Sequence, residues 1–111
     1  MVGLVRGDVV VLPFPFSNLR GSKKRPALVI APLQTHEDVI LCMITSRLTT
    51  DHSAISIAAQ DFDAGGLPRE SNIRPNRLFT ADAGLIVRKA GQLSSATMDQ
   101  VAAVIIELVS G

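Results

Sequence analysis

Val39-Ile40-Leu41-Cys42-Met43-Ile44-Thr45 is apolar at every position up to its closing threonine. With the two-residue period of a strand, Val39, Leu41 and Met43 share one side, and Ile40, Cys42 and Ile44 share the other. A strand of this kind is buried on both faces, so a second layer must cover the sheet. An earlier apolar run, Pro26–Ala31, is separated from it by Pro32-Leu33-Gln34-Thr35-His36-Glu37-Asp38, and the two together read as a β-hairpin. If the turn centres between Thr35 and His36, opposed residue numbers sum to about 71. Arg25 then faces Thr45 or Ser46 at the open end of the hairpin.

Outward from the hairpin, strand chemistry dominates up to residue 93. Val9–Leu12 is a β-branched run opened by Gly7-Asp8 and closed by Pro13. Phe14 to Lys24 reads as a long loop of turn-formers and charge, and loops of that length commonly carry function. Ala54–Ala58 reads as a short strand, and Asp61 to Ser71, with Gly65-Gly66 and Pro68, as a second loop. Short strands are expected around Ile73, at Leu78–Thr80 and at Leu85–Lys89. Ser94 or Ser95 can cap a terminal helix with apolar positions Met98, Val101, Ala102, Ile105, Leu108 and Val109, a candidate cover for the doubly apolar strand. Many short strands and one helix, without βαβ alternation, predict a mainly β fold: a small, strongly bent antiparallel barrel with a C-terminal helix.

Composition narrows the function classes. At 111 residues and 47% hydrophobic, the chain is expected to be one domain with ample core, which excludes intrinsic disorder. Mean hydropathy is high at +0.32. Yet the apolar runs Val39–Ile44 and Val101–Ile106 fall far short of the roughly 18 residues of a membrane span. Arg6 and Asp8 precede any long apolar stretch, so no secretory signal is expected. The single cysteine, Cys42, makes neither an internal disulfide nor a zinc site. These features read as a cytoplasmic protein with no membrane association.

The net charge of +1 hides a pattern. Residues 1–25 hold five bases and one acid, residues 26–68 one base and five acids, and residues 69–89 five bases and two acids. Two basic blocks flank an acidic middle, which suits a polyanionic partner if the fold unites them. The hairpin places a guanidinium beside one or two hydroxyls. Arginine's fork of donors matches phosphate oxygens, and the pair would stabilise the added negative charge of a phosphodiester transition state. RNA brings its own nucleophile, the 2′-hydroxyl, so such a site needs neither metal nor protein nucleophile. The competing reading is an arginine paired with an acid and a threonine that fills a strand. Arg69, Arg74 and Arg77, with Ser71 and Asn72, form a basic segment able to hold a nucleic-acid backbone.

Other candidates read as structural. His36 and His52 fall in polar turns, His36 at the far end from Arg25; Cys42 reads as a packed thiol. Asp61 and Asp63 lack metal-site spacing. With four Phe, no Tyr and no Trp, a sheet platform stacking bases is disfavoured. Phe14, Phe16 and Phe62, in or beside loops, read as loop anchors.

Three sequence blocks carry a resemblance. Arg6-Gly7-Asp8-Val9-Val10 with Pro13-Phe14-Pro15-Phe16-Ser17, then Lys23-Lys24-Arg25-Pro26-Ala27-Leu28-Val29-Ile30, then Ser71-Asn72-Ile73-Arg74-Pro75-Asn76-Arg77-Leu78-Phe79-Thr80 resemble the MazF/PemK family of toxin endoribonucleases. Ile44-Thr45-Ser46 and Leu85–Ser94 extend the likeness over nearly the whole chain. It implies one toxin domain over residues 1–111, with an SH3-like barrel that works as a homodimer. The implied activity is cleavage of single-stranded RNA without metal or cofactor, leaving a cyclic phosphate. The implied partner is a cognate antitoxin whose disordered segment lies across the active groove. Arg25 and Thr45 match the family's catalytic pair, and Ser71 and Arg77 its RNA contacts, while its first-loop contacts fall near Ser17. Lys24, Ser46 and Arg74 complete the expected RNA-binding set. Arginine, with a pKa above about 12, suits charge stabilisation and not general-base work. The alternative is a non-catalytic toxin on the same barrel that binds and poisons a DNA topoisomerase. A peptide adaptor is a third reading, disfavoured because such grooves are lined by Trp and Tyr.

Overall fold

The computed structural model describes residues 3–14, 23–34, 37–47 and 51–111. The β-branched run at Val9 becomes the centre of β1 (Asp8–Phe14), and the hairpin becomes β2 (Lys23–Pro32) and β3 (Asp38–Thr45). They are followed by β4 (Ile55–Ile57), β5 (Phe62–Gly65), β6 (Ser71–Asp82), β7 (Arg88–Leu93) and α1 (Ser95–Ser110). The strands pair antiparallel in the order β4-β6-β3-β2-β1-β7-β5 and curl into a half-barrel that ends in the helix. The mainly β architecture expected from the sequence is therefore the one found, with β4 and β5 as its two edges.

β3 lies between β2 and β6 and is buried on both faces. Cys42 and Ile44 join Val9, Leu28, Ile73, Met98 and Val101 in one apolar cluster, whose cover is the helix. Val39 and Leu41 join Val10, Leu12, Phe14, Ala27, Val29 and Ile86 in a second, closed by the curl of the sheet itself. Ser94 caps α1, its Oγ accepting the Thr97 N–H at 3.2 Å. The apolar stripe reaches less far than its spacing suggests, because Ile106 and Val109 are 61% and 78% exposed beyond the sheet.

Four segments differ from the sequence reading, each for a local reason. The stretch 61–71, expected as a loop, contains β5, which lies so close to β7 that side chains are excluded. Gly65 has φ +62°, and a Cβ there would overlap the Ala90 carbonyl oxygen; one on Gly91 would lie 2.6 Å from Ala64 O. The strands expected at Ile73 and Leu78–Thr80 are one strand, β6. Its register to β3 jumps from Cys42↔Leu78 to Met43↔Arg74, leaving Pro75, Asn76 and Arg77 outside the ladder. Pro75 has no N–H to donate, so a break belongs there. Leu85 and Val87 are not in a strand: Asp82 Oδ1 accepts the Gly84 N–H at 2.7 Å, a 3-10 turn spans Ala83–Leu85, and β7 starts at Arg88. Phe14, Lys23 and Lys24, expected in the first loop, are strand residues, while Phe16, Ser17, Thr35 and His36 lie outside the described residues.

Asp8 is fully buried and ties β1 to its neighbours, accepting from Val5 N at 2.9 Å and pairing with Lys89 Nζ at 2.9 Å. Cys42 is a packed thiol whose Sγ donates to Arg74 O at 2.9 Å. Burial pushes its pKa from 9.0 up to about 12. At pH 8 its thiolate fraction is then roughly a thousandfold below that of a free thiol, since each pKa unit is tenfold. A disulfide reagent that titrates thiols is expected to leave the folded protein unlabelled at pH 8 and to label it promptly in denaturant. Among the described residues no helix is long and apolar enough to cross a membrane.

Candidate functional site

The β2–β3 register runs Pro32↔Val39 and Ala31↔Ile40, then shifts at Ile30 to Val29↔Leu41, Leu28↔Cys42 and Ala27↔Met43. Continued by two residues, it sets Arg25 opposite Thr45; on the other side Arg25 pairs with Leu12 of β1. Strand alternation then sorts the neighbours. Arg25 and Thr45 share the face of Ala27 and Met43, whereas Lys24 projects to the opposite face with Pro26.

Two adjoining cavities follow from this sorting. The first, about 500 Å³, is lined by Arg25, Thr45, Arg47, Arg74 and Arg77 over an apolar floor of Phe14, Met43, Leu78 and Phe79. The second, about 550 Å³, holds Lys23, Lys24, Arg69 and Arg88 with the hydroxyls of Ser46 and Ser71. Arg25 and Thr45 line both, so they form the wall between the two. Of the expected site residues, Arg74 and Arg77 join them on one side, and Lys24, Ser46 and Ser71 on the other. Ser17 lies outside the described residues.

The charge is one-sided. Among the described residues, eight lysines and arginines line these cavities, and no acid does. At the other end of the same strands sit Glu37, Asp38 and Asp82, the last two directly opposed across β3 and β6. The two basic blocks of the sequence are thus brought together, and part of the acidic middle is carried to the far end.

Local hydrogen bonds fix the corner after β3. The Arg47 N–H donates to Thr45 Oγ1 at 3.2 Å, and the Asn72 amide donates to Arg47 O at 3.2 Å. With its oxygen accepting from the backbone, the Thr45 hydroxyl keeps its own proton for an incoming acceptor. Ser71 is buried, and its hydroxyl donates to Arg69 O at 3.1 Å. Arg74 Nη2 is paired with Asp51 Oδ2 at 3.3 Å. The Ser53 N–H, and after it the Arg74 and Asn76 side chains, hold the Asp51 carboxyl below its ordinary value. Asp51 therefore stays ionised through neutral pH, and the pair is released only as the pH falls below the ordinary carboxylate range. Among the described residues no three histidine, cysteine, aspartate or glutamate side chains gather as a metal site.

A family model described as PemK-like, MazF-like toxin of type II toxin–antitoxin system matches residues 5–109. The chain belongs to this family. Solved structures similar to this PemK/MazF-like toxin share its fold from end to end. An endoribonuclease from a mycobacterial species, in complex with its cognate antitoxin, superposes with a TM-score of 0.77 at 14% identity, covering 97% of this chain and 96% of that one. MazF from Deinococcus radiodurans gives 0.75 at 18%, covering 96% of each chain. The Mycobacterium tuberculosis toxin MazF-mt6 gives 0.72 at 15%, covering 93% of this chain and 96% of that one. No curated protein sequence matches the chain.

The sequence reading of this PemK/MazF-like toxin missed Arg47, Arg88 and the apolar floor. Arg88 sits in a segment read as an ordinary strand, and only the sheet order brings β7 beside β1. Phe14, expected as a loop anchor, packs its ring edge-on against Phe79 from within β1, centroids 5.2 Å apart. Leu78 had no signal, because its exposure depends on the bulge before it.

Proposed function

We propose that the chain, acting over residues 1–111 as a toxin of a type II toxin–antitoxin system, is an endoribonuclease that cleaves single-stranded RNA. One observation carries this reading: Arg25 and Thr45 form the shared wall of two cavities lined by cations and by no acid. The scissile phosphate sits at that wall. The substrate's 2′-oxygen attacks phosphorus, the bond to the 5′-oxygen breaks, and the products carry a 2′,3′-cyclic phosphate and a 5′-hydroxyl. Arg25 stabilises the charge that builds on the non-bridging oxygens, and Thr45 donates its hydroxyl to one of them. The leaving oxygen takes up the proton lost by the 2′-hydroxyl, and no metal enters any step. Lys24, Ser46, Ser71, Arg74 and Arg77, with Ser17, contact the strand on either side.

The same reading includes a cognate antitoxin that covers these cavities, as similar toxins are solved with theirs. It also includes a homodimer, for which the exposed Ile106, Leu108 and Val109 at the end of α1 supply apolar surface. The test is incubation of the protein with long single-stranded RNA in excess chelator, followed by mapping of the fragment ends. Discrete cuts leaving 5′-hydroxyls are expected; intact RNA overturns the reading, and growth arrest with intact transcripts points to the topoisomerase alternative. The cationic lining also predicts binding that weakens steeply with salt. Arg88→Ala is expected to lower RNA affinity whatever the sequence and to flatten the log–log salt slope by about 0.7, one phosphate's worth for a single strand. Affinity titrations at several salt concentrations check it.

A further inference from the structure

A carboxylate beside a cationic cavity repels the polyanion that the cavity would take up, so Asp51 calls for a positive reason. It opens the turn that leads into β4: its backbone oxygen accepts the Ala54 N–H at 3.1 Å, and its Oδ1 accepts the Ser53 N–H at 2.9 Å. β4 is in turn paired with β6 through Ile55↔Ile73, Ser56↔Asn72 and Ile57↔Ser71. Asp51 is thus fixed by its own turn, and that turn is anchored to β6. From there the carboxylate reaches both sides of the break in β6. Its Oδ2 lies 3.3 Å from Arg74 Nη2, and the Asn76 side chain hydrogen-bonds to it from beyond Pro75. Arg74 is the last residue paired with β3 before the register jumps, and Pro75, Asn76 and Arg77 make no rung. Arg74 Nε is buried with no hydrogen-bond partner among the described residues, which leaves Nη2 to orient the guanidinium. Arg77 and Leu78 follow directly, exposed and lining the first cavity. Residues without ladder bonds cost entropy to fix, and bonds from one anchored carboxylate to a cation and an amide offset that cost.

We propose that Asp51 is a positioning residue: its carboxylate braces the bulge of β6 across Pro75 and so fixes where Arg77 and Leu78 meet an incoming RNA strand. The inference rests on the ribonuclease reading and deepens it. Asp51 lines neither cavity, so the brace acts on how the strand is held and leaves the phosphate chemistry at Arg25 and Thr45 as it is. The rival role is that of a plain counter-ion among many cations, which needs the charge and no particular geometry.

The two roles separate on a change that keeps the charge. Asp51→Glu retains the carboxylate and moves it one methylene away from Ser53, Arg74 and Asn76. Asn76→Ala removes one arm of the brace at an exposed position outside the ladder, so that variant is expected to fold. In the free protein, backbone ¹⁵N order parameters at Asn76 and Arg77 should fall from about 0.85 towards about 0.6 in both variants, with Val29 of β2 unchanged. Affinity for an uncleavable, end-labelled 2′-O-methyl RNA should drop roughly two- to tenfold, the cost of ordering one long side chain on binding. On a cleavable strand the loss should appear in KM, with kcat within about twofold of the parent. Both substitutions act through one brace, so the combined variant should lose no more than the larger single loss. Order parameters or affinity like the parent's in Asp51→Glu overturn the brace and leave Asp51 a counter-ion, while the ribonuclease reading stands. Losses that add, or that fall on kcat, overturn it as well. Wild-type protein that cuts no RNA overturns both.

Discussion

Arg25→Ala is expected to lower the rate of RNA cleavage by about 10²- to 10³-fold, the loss typical of removing one preorganised donor to a developing oxyanion. The fold should be untouched, since Arg25 is only partly buried and no core residue depends on its charge. Its melting temperature should stay within about 4 °C of the parent, the range of a surface substitution in a domain of this size. Arg25→Lys restores the charge but not the planar fork, so it should recover only a small part of the rate. Thr45→Ala removes one hydroxyl donor at the same wall, and roughly a tenfold loss is expected from one neutral hydrogen bond. Time courses on a fixed RNA substrate, with melting curves for each variant, check the series. An Arg25→Ala protein that cuts like the parent would remove Arg25 from the mechanism.

Gly65→Ala should be the most destabilising of the conservative changes. Its φ of +62° disfavours any Cβ, and the added methyl would be driven into the Ala90 carbonyl on β7, where no flexible side chain can give way. Strain of this kind, with a backbone clash added, costs about 3 kcal/mol, which lowers the melting temperature by roughly 12–24 °C in a domain of about 100 residues. Gly66→Ala is the built-in control. A Cβ there meets nothing within 4 Å, so that variant should melt within a few degrees of the parent. β7 begins at Arg88, which lines the second cavity, so a loosened β5–β7 pair should also weaken RNA binding. Calorimetry on the two variants separates these outcomes.

The hairpin was legible because its two apolar runs admit one pairing, and the turn chemistry between them fixes the register to within one residue. A bulge at Ile30 accounts for the difference between an opposed sum of 71 near the turn and 70 near the site. The helix was legible in its cap and its first turns, where Met98 and Val101 face the core, and not in its last turns, where apolar residues look outward. β5 was hidden because Gly65-Gly66 reads as a turn when the strand it presses against lies elsewhere in the chain. The site was half legible. Arg25 and Thr45 followed from local pairing and Arg74 and Arg77 from charge. Their division from Lys24, Ser46 and Ser71 into separate cavities needed the alternation of three neighbouring strands. Arg88 and Leu78 required sheet order and a register jump, which no local pattern encodes.

Pro75, Asn76 and Arg77 stand outside the rungs that join β3 to β6, and Arg77 and the adjacent Leu78 line the first cavity. Substitutions at Asn76 and Arg77 therefore leave every backbone bond of the ladder intact. The molecule thus sets a stretch free of ladder bonds beside the cavity that Arg25 and Thr45 line. On the ribonuclease reading, drift at these positions would alter how a strand is held without endangering the half-barrel beneath it.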